Sequence, residues 1–464
     1  MRNLVLLVLL VVLQLGVEAQ PLTLRDLLEQ VEAHHPVLRQ ADLALEMARA
    51  RVTEKEGAFD PTLALSSGYQ RYNSSSDPGK AKEAFTNGME VAWTTPSGIK
   101  LGAGMDLNRG DVKSPASLTG EGGTYFLEAK IPLIQGFEIN EKSIAWQQAM
   151  LGLPLAEADR ELVRLGLLRS AGESYWDWAS AWQMVDVNQR LLDLADERLA
   201  VVRQRVEAGD LAPIDVAETE QELERRRGLL TRFQRLSEST SLKLAFFLWQ
   251  NEKPPGREQA PPQLDAPRPL SLQEEARARE DAMQLRPEFR GLKVQREIVW
   301  LDERLAENNQ RPALNVIVSP GLDVGNQGVG PVFKGGLELV IPLQTREADG
   351  KLALARLKIQ DLDLKTLLQT RKVLLEVEDA LSAVRAAYQR FLAAERELEL
   401  ARQVEEGERY RFSMGDSTVF LVNQRERATA EAELRRLEVQ GEYLKALVGL
   451  DASSGRLGEQ EPAR

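Results

Sequence analysis

Cysteine is absent from all 464 residues, and histidine occurs only twice. Without thiols the chain has no disulfide framework, no thiolate zinc site, no iron–sulfur cluster and no cysteine nucleophile. The two histidines, His34 and His35, are adjacent and therefore point to different faces of a helix, which suits a metal poorly compared with a spacing of three or four. A positive surplus is lacking as well: 71 acidic residues against 59 basic ones give a net charge of -12. Nucleic-acid binding depends on clustered Lys and Arg, so DNA and RNA are not expected partners. No Gly-rich phosphate loop or nucleophile elbow is present, and no acid, base and nucleophile assemble into a constellation. Neither an enzymatic activity nor a cofactor is expected.

Long apolar runs are scarce too. Arg2 precedes one at Leu4 to Leu13, followed by the small-x-small triplet Val17-Glu18-Ala19. Residues 1–19 thus read as a cleaved secretory signal, because the run is well short of the roughly 20 residues a spanning helix needs. Every later apolar stretch is interrupted by charge within a turn or two. If the mature protein crosses a membrane it must do so as a closed barrel, the other structure that satisfies backbone polar groups in lipid.

What the sequence does contain is a repeat. Pro36 and Pro61 are spaced as Pro287 and Pro312 are, and in that ungapped register Arg39 falls on Arg290, Glu46 on Glu297, Glu56 on Glu307 and Leu63 on Leu314. Ile131-Pro132-Leu133 recurs as Ile341-Pro342-Leu343, and Arg205 with Gly209-Asp210 recurs as Arg411 with Gly415-Asp416. The same order in both halves makes the chain two copies of one plan. The boundaries that follow are 20–250 for the first copy, 271–450 for the second, a Pro-rich linker over 251–270, where proline disfavours both helix and central strand, and a polar C-terminal tail over 451–464.

Each copy runs helix, strands, very long helix, tight turn, returning helix. Leu22 to Gly57 has helical composition. Tyr125, Leu127, Ala129, Ile131 and Leu133 share one face of a strand whose other face carries Thr124, Glu128 and Lys130. Phe333, Leu337, Leu339, Ile341 and Leu343 alternate in the same way after Leu314, Val316 and Val318. The first copy has an additional strand pair within 85–110, Met89-Val91-Trp93 and Ile99 to Leu107, turning at Pro96-Ser97-Gly98, so that six strands are predicted. Strands of about ten residues with one apolar and one small or polar face suit a membrane barrel wall. A soluble sheet on a core shows the same alternation; the secretory signal and the mutually committed helices favour the barrel.

From about Ile139 to Val206 apolar residues recur at Leu168, Ala171, Tyr175, Trp178, Trp182 and Val185, in steps of three and four. Leu374, Val377, Leu381, Val384, Tyr388 and Phe391 repeat the pattern in the second copy. Such stripes are coiled-coil seams, and the Tyr175, Trp176, Trp178, Trp182 cluster reads as core rather than a stacking platform. A helix of some 60 to 70 residues extends about 100 Å and must pack on equally long rods.

Leu22-Thr23-Leu24 with its counterpart Leu270-Ser271-Leu272, the helical Tyr175-Trp176-Asp177-Trp178, the junction Pro132 to Phe137 and the two Gly-Asp turns, in this order, resemble the TolC family of outer-membrane efflux proteins over Leu22 to Leu450. The resemblance implies a mainly α protein with a membrane β-barrel, in which a long coiled-coil α-helical barrel and transmembrane strands from both repeats build an obligate homotrimer. It implies residence in the outer membrane with the helices in the periplasm. It also implies passive conduction of substrates, with a periplasmic adaptor, an inner-membrane pump or exporter and outer-membrane lipid as partners. The hairpin tips at 205–215 and 411–421 would form the periplasmic aperture, and Arg205, Gly209, Asp210, Asp215, Arg411, Phe412, Gly415 and Asp416 are the gate or adaptor-docking candidates.

Chemistry supports turns there in any case: Gly209 and Gly415 permit the left-handed residue that ends a helix, Asp210 or Asp416 is expected to cap the next, and Pro213 fits its first turn. Three departures from the family stand out. Leu421 and Gln424 occupy positions where some relatives carry acidic pore-lining residues, Ser417 replaces a latching arginine, and the extra strand pair exceeds the usual four strands per protomer. Either the barrel is wider or that hairpin stands outside it. The rival reading is a periplasmic coiled-coil scaffold or adaptor-like protein without a pore, which would have no use for alternating strands of lipid-spanning length.

Overall fold

The computed structural model describes residues 21–74, 77–114, 116–249, 261, 263–326 and 328–458. The signal segment 1–19 and most of the Pro-rich stretch lie outside them. Eight helices are described: α1 Leu24–His34, α2 Pro36–Glu56, α3 Glu141–Glu207, α4 Pro213–Ala245, α5 Leu272–Leu285, α6 Pro287–Asn309, α7 Arg346–Ser413 and α8 Val419–Ser453. Six strands accompany them: β1 Thr62–Ser74, β2 Asp77–Thr94, β3 Lys100–Gly110, β4 Gly123–Pro132, β5 Ala313–Val324 and β6 Gly330–Val340. Among the described residues no helix is long and apolar enough to cross a membrane.

The repeat holds at the level of single hydrogen bonds. Thr23 caps α1, its Oγ1 accepting from the Asp26 N–H at 3.2 Å while Asp26 accepts from the Thr23 N–H. Ser271 does the same for α5 with Glu274. These are capping boxes, which satisfy two otherwise orphaned donors at a helix start. Pro36 and Pro287 both stand at the first position of the following helix, where a missing N–H costs nothing. The expected single helix from Leu22 to Gly57 is therefore two: His35 is extended, with φ -71° and ψ 128°, because a residue preceding proline is pushed out of the helical region.

The chain falls into two compact units. Among the described residues, one comprises those up to Ala41, those from Arg160 to Pro287 and those from Gln369 onward; the other comprises those of Asp42–Asp159 and Glu288–Leu368. In the first, Leu168, Ala171, Tyr175, Val373, Val377 and Leu381 are fully buried along α3 and α7. The stripe read from the sequence is close to the real one, with Val373 rather than Leu374 on the buried line. The Tyr175 hydroxyl donates to the Leu22 carbonyl at 2.8 Å, which fixes the entry of α1 against α3, and burial pushes its ionisation upward. Gln440 of α8 donates to the carbonyls of Leu264 and Asp265, both at 2.9 Å, so the end of the Pro-rich stretch is held onto the helices. The residues just after α8 are also packed: α8 runs to Ser453, and Ser454, Arg456 and Leu457 are buried. The polar composition from 451 onward thus conceals a docked segment.

The second unit holds one sheet in the order β1-β2-β3-β4-β5-β6, every neighbouring pair antiparallel. The additional pair is part of it. β2 is much longer than its apolar core around Met89 to Trp93 indicated, because its first half carries Lys80, Lys82 and Glu83 and lacks the alternation that marks the rest. Registers align the outward positions into rows: Leu65 opposite Met89, Met89 opposite Met105, Met105 opposite Tyr125, Tyr125 opposite Leu322. The reverse face carries Glu90, Gly102, Gly104, Glu128, Lys130, Asn315 and Glu338, with Lys130 and Glu338 paired at 2.5 Å.

Candidate functional site

The two helical turns are built alike. The Gly209 N–H donates to the Val206 carbonyl at 3.0 Å and the Asp210 N–H to the Arg205 carbonyl at 2.8 Å. At the second turn Gly415 donates to Phe412 at 3.1 Å and Asp416 to Arg411 at 2.9 Å. Both are Schellman caps, with the glycines at φ +84° and +86°. The expected capping role of Asp210 and Asp416 is not what the structure has, because each stands two residues too early and uses its backbone N–H to close the preceding helix. Asp215 accepts from the Ala212 N–H at 3.0 Å ahead of α4, and Thr418 accepts from the Leu421 N–H at 3.4 Å ahead of α8. Pro213 is the first residue of α4, as its fixed φ favours.

Of the candidates, Arg205 and Phe412 are brought together, the guanidinium 5.2 Å from the ring centroid, so that the two turns of one chain touch. A cleft of about 260 Å³ beside them is lined by Leu194, Val201, Arg205, Arg409 and Phe412, among others. Arg411 stays within its own turn, donating to the Asp416 carbonyl at 3.3 Å. Asp210 and Asp416 are exposed, and Asp215 serves its own helix start. Ser417, in place of an arginine, donates to Glu408 at 2.5 Å and so also acts inside the second hairpin. Leu421 is half-buried and Gln424 exposed.

Sequence reasoning missed the charged residues that join the hairpins. Arg198 of α3 holds Glu426 of α8 with both terminal nitrogens and donates to Asn423 at 3.1 Å, while Arg409 of α7 reaches the same carboxylate at 2.7 Å. Lower on α4, Glu222 accepts from Arg225 at 2.7 Å, Arg226 at 2.8 Å and Arg427 of α8 at 2.9 Å. Burial opposes the ionisation of Glu222, but the hydrogen bonds from Arg225 and Arg427 and the charge of Arg226 prevail and hold its carboxyl at about 2. A charged residue on a line otherwise occupied by core residues is the signal that would have found Glu222 and Glu426. The partners that join them to the other hairpin, Arg427 for Glu222 and Arg198 for Glu426, stand more than 200 positions away and leave no local trace. Also missed were the exposed apolar side chains beside the turns, Ile214, Tyr410, Met414 and Phe420.

Helical hairpins ending in paired turns, together with a sheet that is apolar on its exposed face and polar on the other, are the elements of a TolC-like fold. Residues 27–248 match the family model described as outer membrane efflux protein. Over that stretch the chain is similar to a family of outer-membrane efflux proteins. Its fold is similar to the outer-membrane channel OprN, at 17% identity and TM-score 0.68 over 93% of this chain and 89% of that one. It is also similar to the outer membrane protein VceC from Vibrio cholerae, at 15% identity and TM-score 0.66 over 93% and 96%. The Neisseria gonorrhoeae MtrE outer membrane channel, in its open state, is similar at 17% identity and TM-score 0.62 over 94% and 89%. No curated protein sequence matches the chain.

Proposed function

We propose that three copies form one passive duct, which receives substrates at the periplasmic turns from an adaptor and an inner-membrane pump or exporter and releases them outside through the barrel. The observation that carries this reading is the sheet face on which Leu63, Leu65, Tyr125, Leu127, Phe333 and Leu337 are all at least half exposed, Leu65 at 73% and Leu337 at 76%. Water would penalise that much contiguous apolar surface, and a lipid belt shelters it. A second exposed row, Leu354, Leu357, Leu364 and Leu368 on α7, follows helical spacing and calls for a neighbouring copy's helix.

In this reading the turns are both gate and docking surface. Arg205 and Phe412 tie one chain's two turns together, Arg411 and Asp416 shape the second, Gly209 and Gly415 give both their tight reversal, and Asp210 and Asp215 present acidic groups at the first. Ile214, Tyr410, Met414 and Phe420 offer an adaptor hairpin its apolar contacts. Opening is a change between two packings of the helices near the turns. Residues 1–19 direct export and are removed, so the mature chain begins after Ala19.

Fractionation tests the reading. The exported protein should sediment with outer membranes, dissolve only in detergent, run as a trimer on an unheated gel and carry an N-terminus at Gln20. A freely soluble periplasmic monomer would overturn it.

A further inference from the structure

We propose that the barrel wall has eighteen strands, six from each of three copies, closed by pairing the free edge of β6 in one copy with the free edge of β1 in the next. The inference rests on the three-copy reading above and adds to it the membership of β2 and β3 in the wall. A hairpin lying outside would leave four strands per copy and a wall of twelve.

Three observations place the hairpin in the wall. Both of its strands are paired on both sides: β2 meets β1 from Thr62–Ala92 onward and β3 from Ala84–Gly110 to Thr94–Lys100, while β3 meets β4 from Lys100–Lys130 to Asp106–Thr124. Its side chains continue the rows of the other strands. Val91 and Ala103 lie between Leu63 and Leu127, and Phe85 faces outward beside Tyr69 with ring centroids 5.0 Å apart. Its turn is also anchored at the wall's rim. The Glu138 N–H donates to the Ser97 carbonyl at 3.0 Å, and Asn140 donates to the Pro96 carbonyl at 3.0 Å. At Gly98, φ is +89° and a Cβ would stand 2.1 Å from the Gly136 carbonyl oxygen, so the turn lies against that backbone too closely for any side chain at this position.

The edges argue for the occupant. Among the described residues β1 pairs only with β2 and β6 only with β5, which leaves 13-residue and 11-residue strands each with one unpaired side. Lipid tolerates no open edge, and six strands are fewer than the smallest membrane barrels contain. A second copy of this chain supplies what each edge lacks. Five antiparallel steps separate β1 from β6, so they run in opposite directions, and joining β6 to the next β1 continues the antiparallel alternation without a break. Barrel diameter grows roughly linearly with strand number, so the bore is about half again that of a twelve-stranded wall. Inward-facing Gly68, Gly88, Gly102, Gly104, Gly321 and Gly336 leave room on that face beside the charged side chains of Glu90, Glu128, Lys130 and Glu338. A wall of 16 to 18 strands encloses an aqueous channel, which leaves selection to the helical turns.

The chain's lack of cysteine lets single introduced thiols report without background. Full-length protein carrying Met89→Cys, Met105→Cys, Glu90→Cys or Asp106→Cys, one at a time, is placed in vesicles of brominated-chain phosphatidylcholine, and its copy number is read by native mass. The expected result is a trimer in which bimane at 89 and 105 is quenched by lipid while 90 and 106 react with a water-soluble thiol reagent. Strand counting by electron microscopy of the same trimer should then give eighteen. A trimer in which all four positions react from water, or one with twelve wall strands, overturns the inference and leaves the duct reading standing. A mass other than three copies overturns both the count and the three-copy reading, while the thiol pattern still reports separately whether the hairpin lies in the wall.

Discussion

Arg198 on α3 grips Glu426 on α8 with both ends of its guanidinium, and Arg409 on α7 binds the same carboxylate at 2.7 Å. The first hairpin is thereby fastened to the second a few turns from the tips, at a place where the arginine and glutamate side chains are 18% and 10% exposed. In a setting this dry, breaking the pair strands a charge. The cost should fall between the 0–1 kcal/mol of surface pairs and the 3–5 kcal/mol of fully buried ones, about 2 kcal/mol.

Arg198→Ala and Glu426→Gln should each loosen the tips. A bias of about 1.4 kcal/mol toward closure corresponds to roughly tenfold in open probability, so open dwell in planar bilayers should rise by that order. The double variant should add little to either single one, because both remove one interaction. Full additivity in a double-mutant cycle would show that the two residues act separately.

Glu222 gives the helical unit a pH dependence. Its folded pKa of about 2 lies below the unfolded carboxylate value, so its contribution is complete above about pH 4.5 and is lost as pH falls toward 2. Melts of the parent should weaken across that window by an amount on the order of 2–3 kcal/mol, and Glu222→Gln should flatten that slope. Identical slopes in parent and variant would show that the carboxylate is not held as described.

Gly209 and Gly415 take left-handed conformations with open space around them. Gly209→Ala and Gly415→Ala should each cost about 1 kcal/mol, and Asn, which tolerates this region, should cost less. Hydrogen exchange confined to the turns would register the change; a loss spread over α3 and α7 would contradict a local origin.

The two faces of the sheet should answer differently to the same charge. Leu65→Arg or Leu337→Arg puts a guanidinium toward lipid at a cost of about 2–4 kcal/mol near the bilayer midplane, and should reduce assembled trimer. Gly336→Arg, one position away and facing inward, should assemble and lower conductance. Equal assembly of all three variants would remove the distinction between faces.

Much of this architecture was legible in the chain itself. Pro36 and Pro287, Thr23 and Ser271, and the glycines of the two turns occupy equivalent positions because each states a local rule of helix start or stop, and local rules are written at the residue they govern. The strands were legible where apolar and polar residues alternate, and illegible in the first half of β2, where pairing rests on backbone groups and the side chains are polar on both sides. His35 broke a helix that composition alone extended. The Arg198–Glu426 pair stayed hidden because nothing near either residue refers to the other: the connection exists only once α3 and α8 lie side by side.

The most direct test is the current carried by the purified protein in a planar lipid bilayer. Discrete, water-filled conductance steps that appear only with the trimeric species and enlarge in open dwell with Arg198→Ala are the predicted result. A trimer that inserts and passes no current, or current that tracks a monomeric species, would contradict the account.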